Sequence, residues 1–134
     1  MPAEELSDAV RAANVQLDSR FVQAMGKKDV EGAMGCLLDS PELVVVLWGT
    51  VLRGPQVVRQ SITDLFAQMR SVHLEINEVT HWRLGDAVFA VGTATYEFEA
   101  PDGTKSTVKE RWTDVRQNVA GKWVYVLDHA AQIP

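Results

Sequence analysis

The chain has a single cysteine, Cys36. An intrachain disulfide is therefore excluded, and Cys36 reads as a small core residue on a helix. Basic residues are in deficit, 13 Lys and Arg against 18 Asp and Glu, for a net charge of -5. Nucleic acid and anionic membrane surfaces call for the opposite balance, so neither is an expected partner. No apolar run approaches the roughly 18–20 residues needed to cross a bilayer. Met1-Pro2-Ala3-Glu4-Glu5 has neither a basic nor an apolar leader character, which makes a cytoplasmic location the expectation. The three histidines, His73, His81 and His129, have no ligand spacing, so no metal site is expected. No glycine-rich phosphate loop is present, so no cofactor is implied.

What is there fits one globular domain spanning residues 1–134, with 46% hydrophobic and 23% charged residues. Leu6, Val10, Ala13, Leu17, Phe21 and Ala24 form one stripe of an amphipathic helix. Gly26 ends it, with Lys27 and Lys28 near its negative pole. Asp29 caps a second helix carrying Val30, Ala33, Met34 and Leu37 inward, and Asp39-Ser40-Pro41 stops it. Leu43 to Trp48 is an uninterrupted apolar run that predicts a strand buried on both faces. Gly49-Thr50 turns the chain into Val51-Leu52-Arg53, and Gly54-Pro55 starts a third helix with the proline at its first position.

From Val72 onward the pattern predicts four strands, at Val72–Leu84, Ala87–Ala100, Lys105–Arg116 and Lys122–Ala130. Gly85-Asp86 and Pro101-Asp102-Gly103 are turn signals between them. Long antiparallel strands twist and curl. The fold class is thus α+β: three N-terminal helices in the concave face of a strongly curved, mixed, mostly antiparallel sheet. Space the helices leave unfilled becomes a cavity.

The last strand holds the first candidate site. Strict alternation puts Trp123, Tyr125, Leu127 and His129 on one face, with Val124, Val126 and Asp128 on the other. An aromatic face ending in a titratable ring suits a pocket wall, with His129 as acid or base. Asp128 then points away, unless a bulge rotates it. On the preceding strand Arg111 and Thr113 share a face, and an arginine there would hold a carboxylate or an enolate. The alternative for Arg111 is a cross-strand ion pair with Glu97 or Glu99. Tyr96 and Tyr125 are the only tyrosines, each a ligand hydrogen-bond donor or a core residue. Trp48 ends the first strand as pocket wall or core. If Val72, Leu74 and Ile76 face inward, His73 faces outward, and so does His81 unless a bulge near Asn77–Glu78 shifts the phase. Val124, Val126, Phe89 and Val91 would make an apolar outer face that a second subunit covers.

Four local features together resemble the nuclear transport factor 2-like superfamily, a cystatin-like cone fold, and its SnoaL-like subgroup. They are the first helix followed by Lys28-Asp29-Val30-Glu31-Gly32-Ala33; Arg53-Gly54-Pro55-Gln56-Val57-Val58-Arg59; Gly85-Asp86-Ala87-Val88-Phe89-Ala90; and Arg111-Trp112-Thr113-Asp114-Val115 with Gly121-Lys122-Trp123 and His129. The resemblance implies a conical pocket for a small-molecule ligand and a homodimer formed through the outer sheet face. Ketosteroid isomerases, scytalone dehydratases and association domains share the fold, so it implies no single activity. The isomerase pattern puts a base near Asp39, which here also reads as a helix stop, and the first helix lacks a tyrosine. The sequence reading is a small-molecule-binding protein with His129 and Arg111 as catalytic candidates for acid–base chemistry on an apolar carbonyl or carboxylate compound. Trp48, Tyr96, Thr113 and Tyr125 are its ligand contacts. The alternative is a non-catalytic binding or association module.

Overall fold

The computed structural model describes residues 4–134; Met1–Ala3, part of the segment read for a leader, lie outside them. Helix α1 (Asp8–Gly26) starts at Ser7, whose hydroxyl accepts from the Val10 N–H at 3.3 Å. The expected apolar stripe is buried or half-buried. Helix α2 (Val30–Met34) is capped by Asp29, whose carboxylate accepts from the Gly32 N–H at 2.9 Å. It ends before Leu37, because Leu37 leaves the helix to bridge Tyr125. Lys28 serves another helix than expected. Its Nζ donates to the carbonyls of Phe66 and Met69 at 3.1 and 2.8 Å, satisfying the end of α3 (Pro55–Gln68). Pro55 holds the first position of α3, as predicted.

The six strands are β1 (Val44–Leu47), β2 (Thr50–Arg53), β3 (Ser71–Leu84), β4 (Ala87–Glu99), β5 (Lys105–Val119) and β6 (Lys122–Gln132). They form one open sheet in the order β2-β1-β6-β5-β4-β3. Only β1 and β6 pair in parallel; every other neighbour is antiparallel. Strand β1 is half-buried rather than buried on both faces, since only the short β2 lies beyond it. The other edge, β3, gains a short bridge in which Glu4 and Arg83 exchange backbone hydrogen bonds at 2.8 Å.

Two bulges govern which side chains reach the interior. Asn77 is the extra residue of β3 against β4, and Val126 is the extra residue of β6 against β5. Each bends its strand and reverses the inward–outward phase beyond it. On β4 the alternation is unbroken, with Val88, Ala90, Gly92, Ala94, Tyr96 and Phe98 all buried. Gly92 is required where it stands. A Cβ there would lie 2.0 Å from the Glu78 carbonyl oxygen and 2.5 Å from the Trp112 ring. The core joins Ala24, Met25, Phe66, Leu74, Tyr96, Phe98 and Trp112, so α1 and α3 pack into the hollow of the sheet.

Candidate functional site

The phase shifts put a set of polar side chains inside the apolar core. Asn14 and Asp18 sit one turn apart on α1, His81 follows the β3 bulge, Asp114 and Arg116 face inward from β5, and Tyr125 comes from β6 just before its bulge. Arg116 has no solvent exposure and is the centre of the group. Its Nε and Nη2 donate to the two oxygens of Asp114 at 2.8 and 3.2 Å. Nη2 and Nη1 lie 2.8 and 3.1 Å from the two oxygens of Asp18. Nη1 also lies 3.3 Å from the Asn14 carbonyl and 3.2 Å from His81 Nε2. The guanidinium lies 5.1 Å from the Tyr125 ring centroid and 5.9 Å from that of Trp112.

Two carboxylates on one guanidinium is the arrangement that lets a charge stay fully buried. Burial pushes the Asp18 carboxyl up. His81, the Arg116 charge and the Tyr125 hydroxyl, which donates to Asp18, more than reverse this and leave it below the ordinary range. Asp114 ends above its ordinary range, because burial outweighs the same guanidinium. The Arg116 guanidinium is held firmly protonated; the pull of Asp114, Tyr125 and Asp18 overcomes its burial.

Beside this cluster the fold leaves two adjoining spaces. The larger is a chamber of about 320 Å³ between α1, β1, α3 and the sheet. Its walls include Phe21, Leu47, Trp48, Leu52, Ile62, Leu65, Tyr96 and Phe98. The smaller is a recess of about 40 Å³, lined by Asp18, Glu110, Trp112, Asp114 and Tyr125, room for water rather than for an organic molecule. Phe21, Leu37, Tyr96 and Asp128 line both, so they form the neck between them.

Asp128 is the polar group of that neck. Burial pushes its carboxyl well above the ordinary range, and Asp114 and Glu110 push it further. Glu110 is also raised by burial, although it accepts the Trp48 indole N–H at 2.9 Å. That contact explains an awkward backbone. Trp48 and Gly49 form the two-residue β1–β2 turn with φ values of 47° and 90°. Tryptophan rarely adopts a positive φ; here it turns the indole from the turn onto Glu110. The Tyr96 ring meets Trp48 edge-on at 6.2 Å and stacks on Phe98 at 5.4 Å.

The six residues named from the sequence divide between the interior and the outer face. Trp48, Tyr96 and Tyr125 line the chamber or the recess. Arg111, Thr113 and His129 do not. All three are exposed on the outer face, where Thr113 pairs with His129 across the β5–β6 ladder. Alternation on β5 is as read, but its inward set is Glu110, Trp112, Asp114 and Arg116. On β6 the bulge at Val126 reverses the set, so Asp128 turns inward and His129 outward. Arg111 registers with Thr93 and Ala131, so an ion pair with Glu97 or Glu99 is not formed. His73 is exposed, and His81 is buried by the bulge named as its exception. Asp39 is exposed at the rim of a separate surface cleft.

Asp18 and Asn14 were not among the sequence candidates, but a signal for them existed. Asn14, Asp18, Phe21 and Met25 step by four, three and four, a second stripe beside the apolar one. Among the described residues, no group of three His, Cys, Asp or Glu side chains is disposed to hold a metal ion, and no helix is long and apolar enough to cross a membrane.

A family model described as a SnoaL-like domain matches residues 19–126. No curated protein matches the chain. Among solved structures, a nuclear transport factor 2-like superfamily protein from Salmonella enterica serovar Typhimurium superposes with a TM-score of 0.89 at 15% identity, covering 96% of this chain and 94% of that one. A candidate dehydratase of the same family from Streptomyces avermitilis gives 0.87 at 18% identity, covering 96% and 99%. A hexachlorocyclohexane dehydrochlorinase gives 0.81 at 14% identity, covering 94% and 86%. At these identities the likeness is one of fold.

Proposed function

Because the chain belongs to the SnoaL-like domain family, we propose that it binds an apolar small molecule in the chamber, with Asp128 and Tyr96 as the polar contacts. The observation that carries this reading is the meeting of a 320 Å³ apolar chamber with a carboxyl whose ionisation is suppressed. A preformed apolar cavity with few convergent polar groups is the usual form of a ligand site, and a perturbed acid within it marks chemistry. The chemistry such a site supports is proton transfer to or from the ligand. Dehydration and dehydrochlorination, the reactions named for two structural relatives, each remove a proton with a leaving group. Asp128, with its ionisation suppressed, stands as the acid that would give a proton to a leaving group, and the recess beside it has room for water. Trp48 and Tyr96 serve as walls in this reading, while the Tyr125 hydroxyl, expected as a ligand contact, is given to Asp18.

Ligand titration followed by tryptophan fluorescence tests this, since Trp48 lines the chamber. Filling the chamber by Ile62→Trp should abolish binding and leave the circular dichroism spectrum unchanged. Undiminished binding in that variant would refute the chamber as the site.

A second reading concerns the outer face and is favoured by one row of side chains. Trp82, Phe89, Val115 and Leu127 are successive register partners across β3, β4, β5 and β6. Trp82, Phe89 and Leu127 are 39%, 36% and 38% exposed. A contiguous exposed apolar row on a sheet face is the mark of an interface, and a second copy of the chain supplies a matching row by two-fold symmetry. Of the residues expected in that interface, Phe89 and Val91 line the outer-face groove with Trp82 and Leu127, Val126 is half-buried at the bulge, and Val124 is buried beside the α2 end of the sheet. The protein so proposed is a cytoplasmic homodimer, which cell fractionation and light scattering check.

A further inference from the structure

We infer that the chamber selects its ligand by charge, accepting an uncharged molecule that carries a hydrogen-bond acceptor and refusing the matching carboxylate. This rests on the reading of the chamber as a ligand site and goes beyond it by naming the ligand class.

The chamber and the recess have one kind of charged lining. Their charged groups are all acids: Asp64 and Asp128 in the chamber, and Asp18, Glu110, Asp114 and Asp128 in the recess. Among the described residues, no lysine, arginine or histidine lines either one. The single buried guanidinium, Arg116, lines neither and is consumed by Asp114 and Asp18. A carboxylate entering from water would lose its hydration and meet no cation in exchange. The carbonyl-or-carboxylate choice left by the sequence thus resolves toward the uncharged compound.

Asp128 then has a defined task. It is the direct register partner of Asp114 across the β5–β6 ladder. Like charges directly opposite repel, and the guanidinium that settles Asp114 does not line the neck where Asp128 lies. The groups facing Asp128 are Asp18 from α1, Tyr96 from β4, Glu110, Asp114 and Arg116 from β5, and Tyr125 from its own strand, with Asp64 on α3 across the chamber. All but the occupied Arg116 are acids or phenols. Asp128 therefore keeps its proton and donates it in a hydrogen bond to a ligand acceptor, which moves no charge out of water. An ammonium ligand would need Asp128 to ionise and would forfeit its own hydration, a balance that ion pairs inside proteins seldom turn to profit.

Isothermal titration with matched pairs tests this: acetophenone against benzoate, and 2-acetylnaphthalene against 2-naphthoate, at pH 5.5 and pH 9. At pH 5.5 the ketone of a pair should bind at least about tenfold more tightly than its carboxylate. Ketone affinity should fall as the pH rises and Asp128 loses its proton. In Asp128→Asn the amide N–H keeps the ketone bound, and the fall toward pH 9 should vanish. A carboxylate that binds as tightly as its ketone overturns charge selection while leaving the chamber a ligand site. So does ketone binding that is indifferent to pH in the native protein. Absence of binding by both pairs overturns the ligand site itself, and this inference with it.

Discussion

Asp114 and Asp128 are register partners on adjacent strands, and both turn into the protein. Asp114 has Arg116 beside it at 2.8 Å; Asp128 is left to the cavity. One buried guanidinium is thus shared by Asp114 and Asp18, while burial and neighbouring acids raise the carboxyl of Asp128.

The first prediction concerns pH. Burial, Asp114 and Glu110 raise the Asp128 carboxyl in the folded protein. Between its unfolded value, near 4, and its raised folded value the folded state holds one more proton than the unfolded state. Its contribution to stability is therefore full in acid and is lost as pH rises through the folded value. Denaturant midpoints between pH 4 and pH 9 should fall more gently in Asp128→Asn than in the native protein. Parallel curves would show that Asp128 ionises freely.

The acid limb has the opposite sign and belongs to Asp18. Although burial pushes its carboxyl up, His81, Arg116 and Tyr125 leave it below the ordinary range. Its stabilisation is present above pH 4 and is lost as pH falls through the folded value. Asp18→Asn should be less stable than the native protein at pH 6, and the two should converge toward pH 2 in urea melts.

Removing the guanidinium is predicted to be severe. Arg116→Met leaves Asp18 and Asp114 buried without a counterion, a loss of about 3–5 kcal/mol. The triple variant Asp18→Asn, Asp114→Asn, Arg116→Met removes the uncompensated charges together and should regain part of that loss. Urea unfolding of both variants checks the pair, and a triple variant weaker than the single one would count against the account.

Gly92→Ala puts a methyl 2.0 Å from the Glu78 carbonyl oxygen, opposite the β3 bulge, and 2.5 Å from Trp112. A backbone oxygen gives way less easily than a side chain, so the cost should reach the upper part of the roughly 1–3 kcal/mol range for overpacking. A thermal melt within a degree of the native protein would contradict the close approach of β3 to β4.

Leu127→Glu tests the outer face. It adds a charge at an exposed position in the apolar row, so the monomer fold should lose little stability. Light scattering should report a monomer for the variant and a dimer for the native chain. An unchanged mass would remove the row from the interface.

Much of the architecture was legible in the sequence because it follows from local rules. The α1 stripe from Leu6 to Ala24, the Asp29 cap, Pro55 at the head of α3 and the Gly85-Asp86 turn are decided by neighbours within a few residues. The order of three helices and long strands sufficed for the α+β class. The inward identity of the site residues was not local. Alternation assigns residues to two faces but does not say which face is inside, and one extra residue exchanges the faces from there on.

The line falls between local rules and the packing of the whole sheet. The elements and their order came from composition and period. The exchange of His129 for Asp128 came from the bulge at Val126, and the burial of His81 from the bulge at Asn77. Each bulge is a property of the pairing with a neighbouring strand and is not written in the residues that yield to it. The joining of Asp18 to Arg116 likewise waited on α1 packing into that sheet, since 98 residues separate them along the chain.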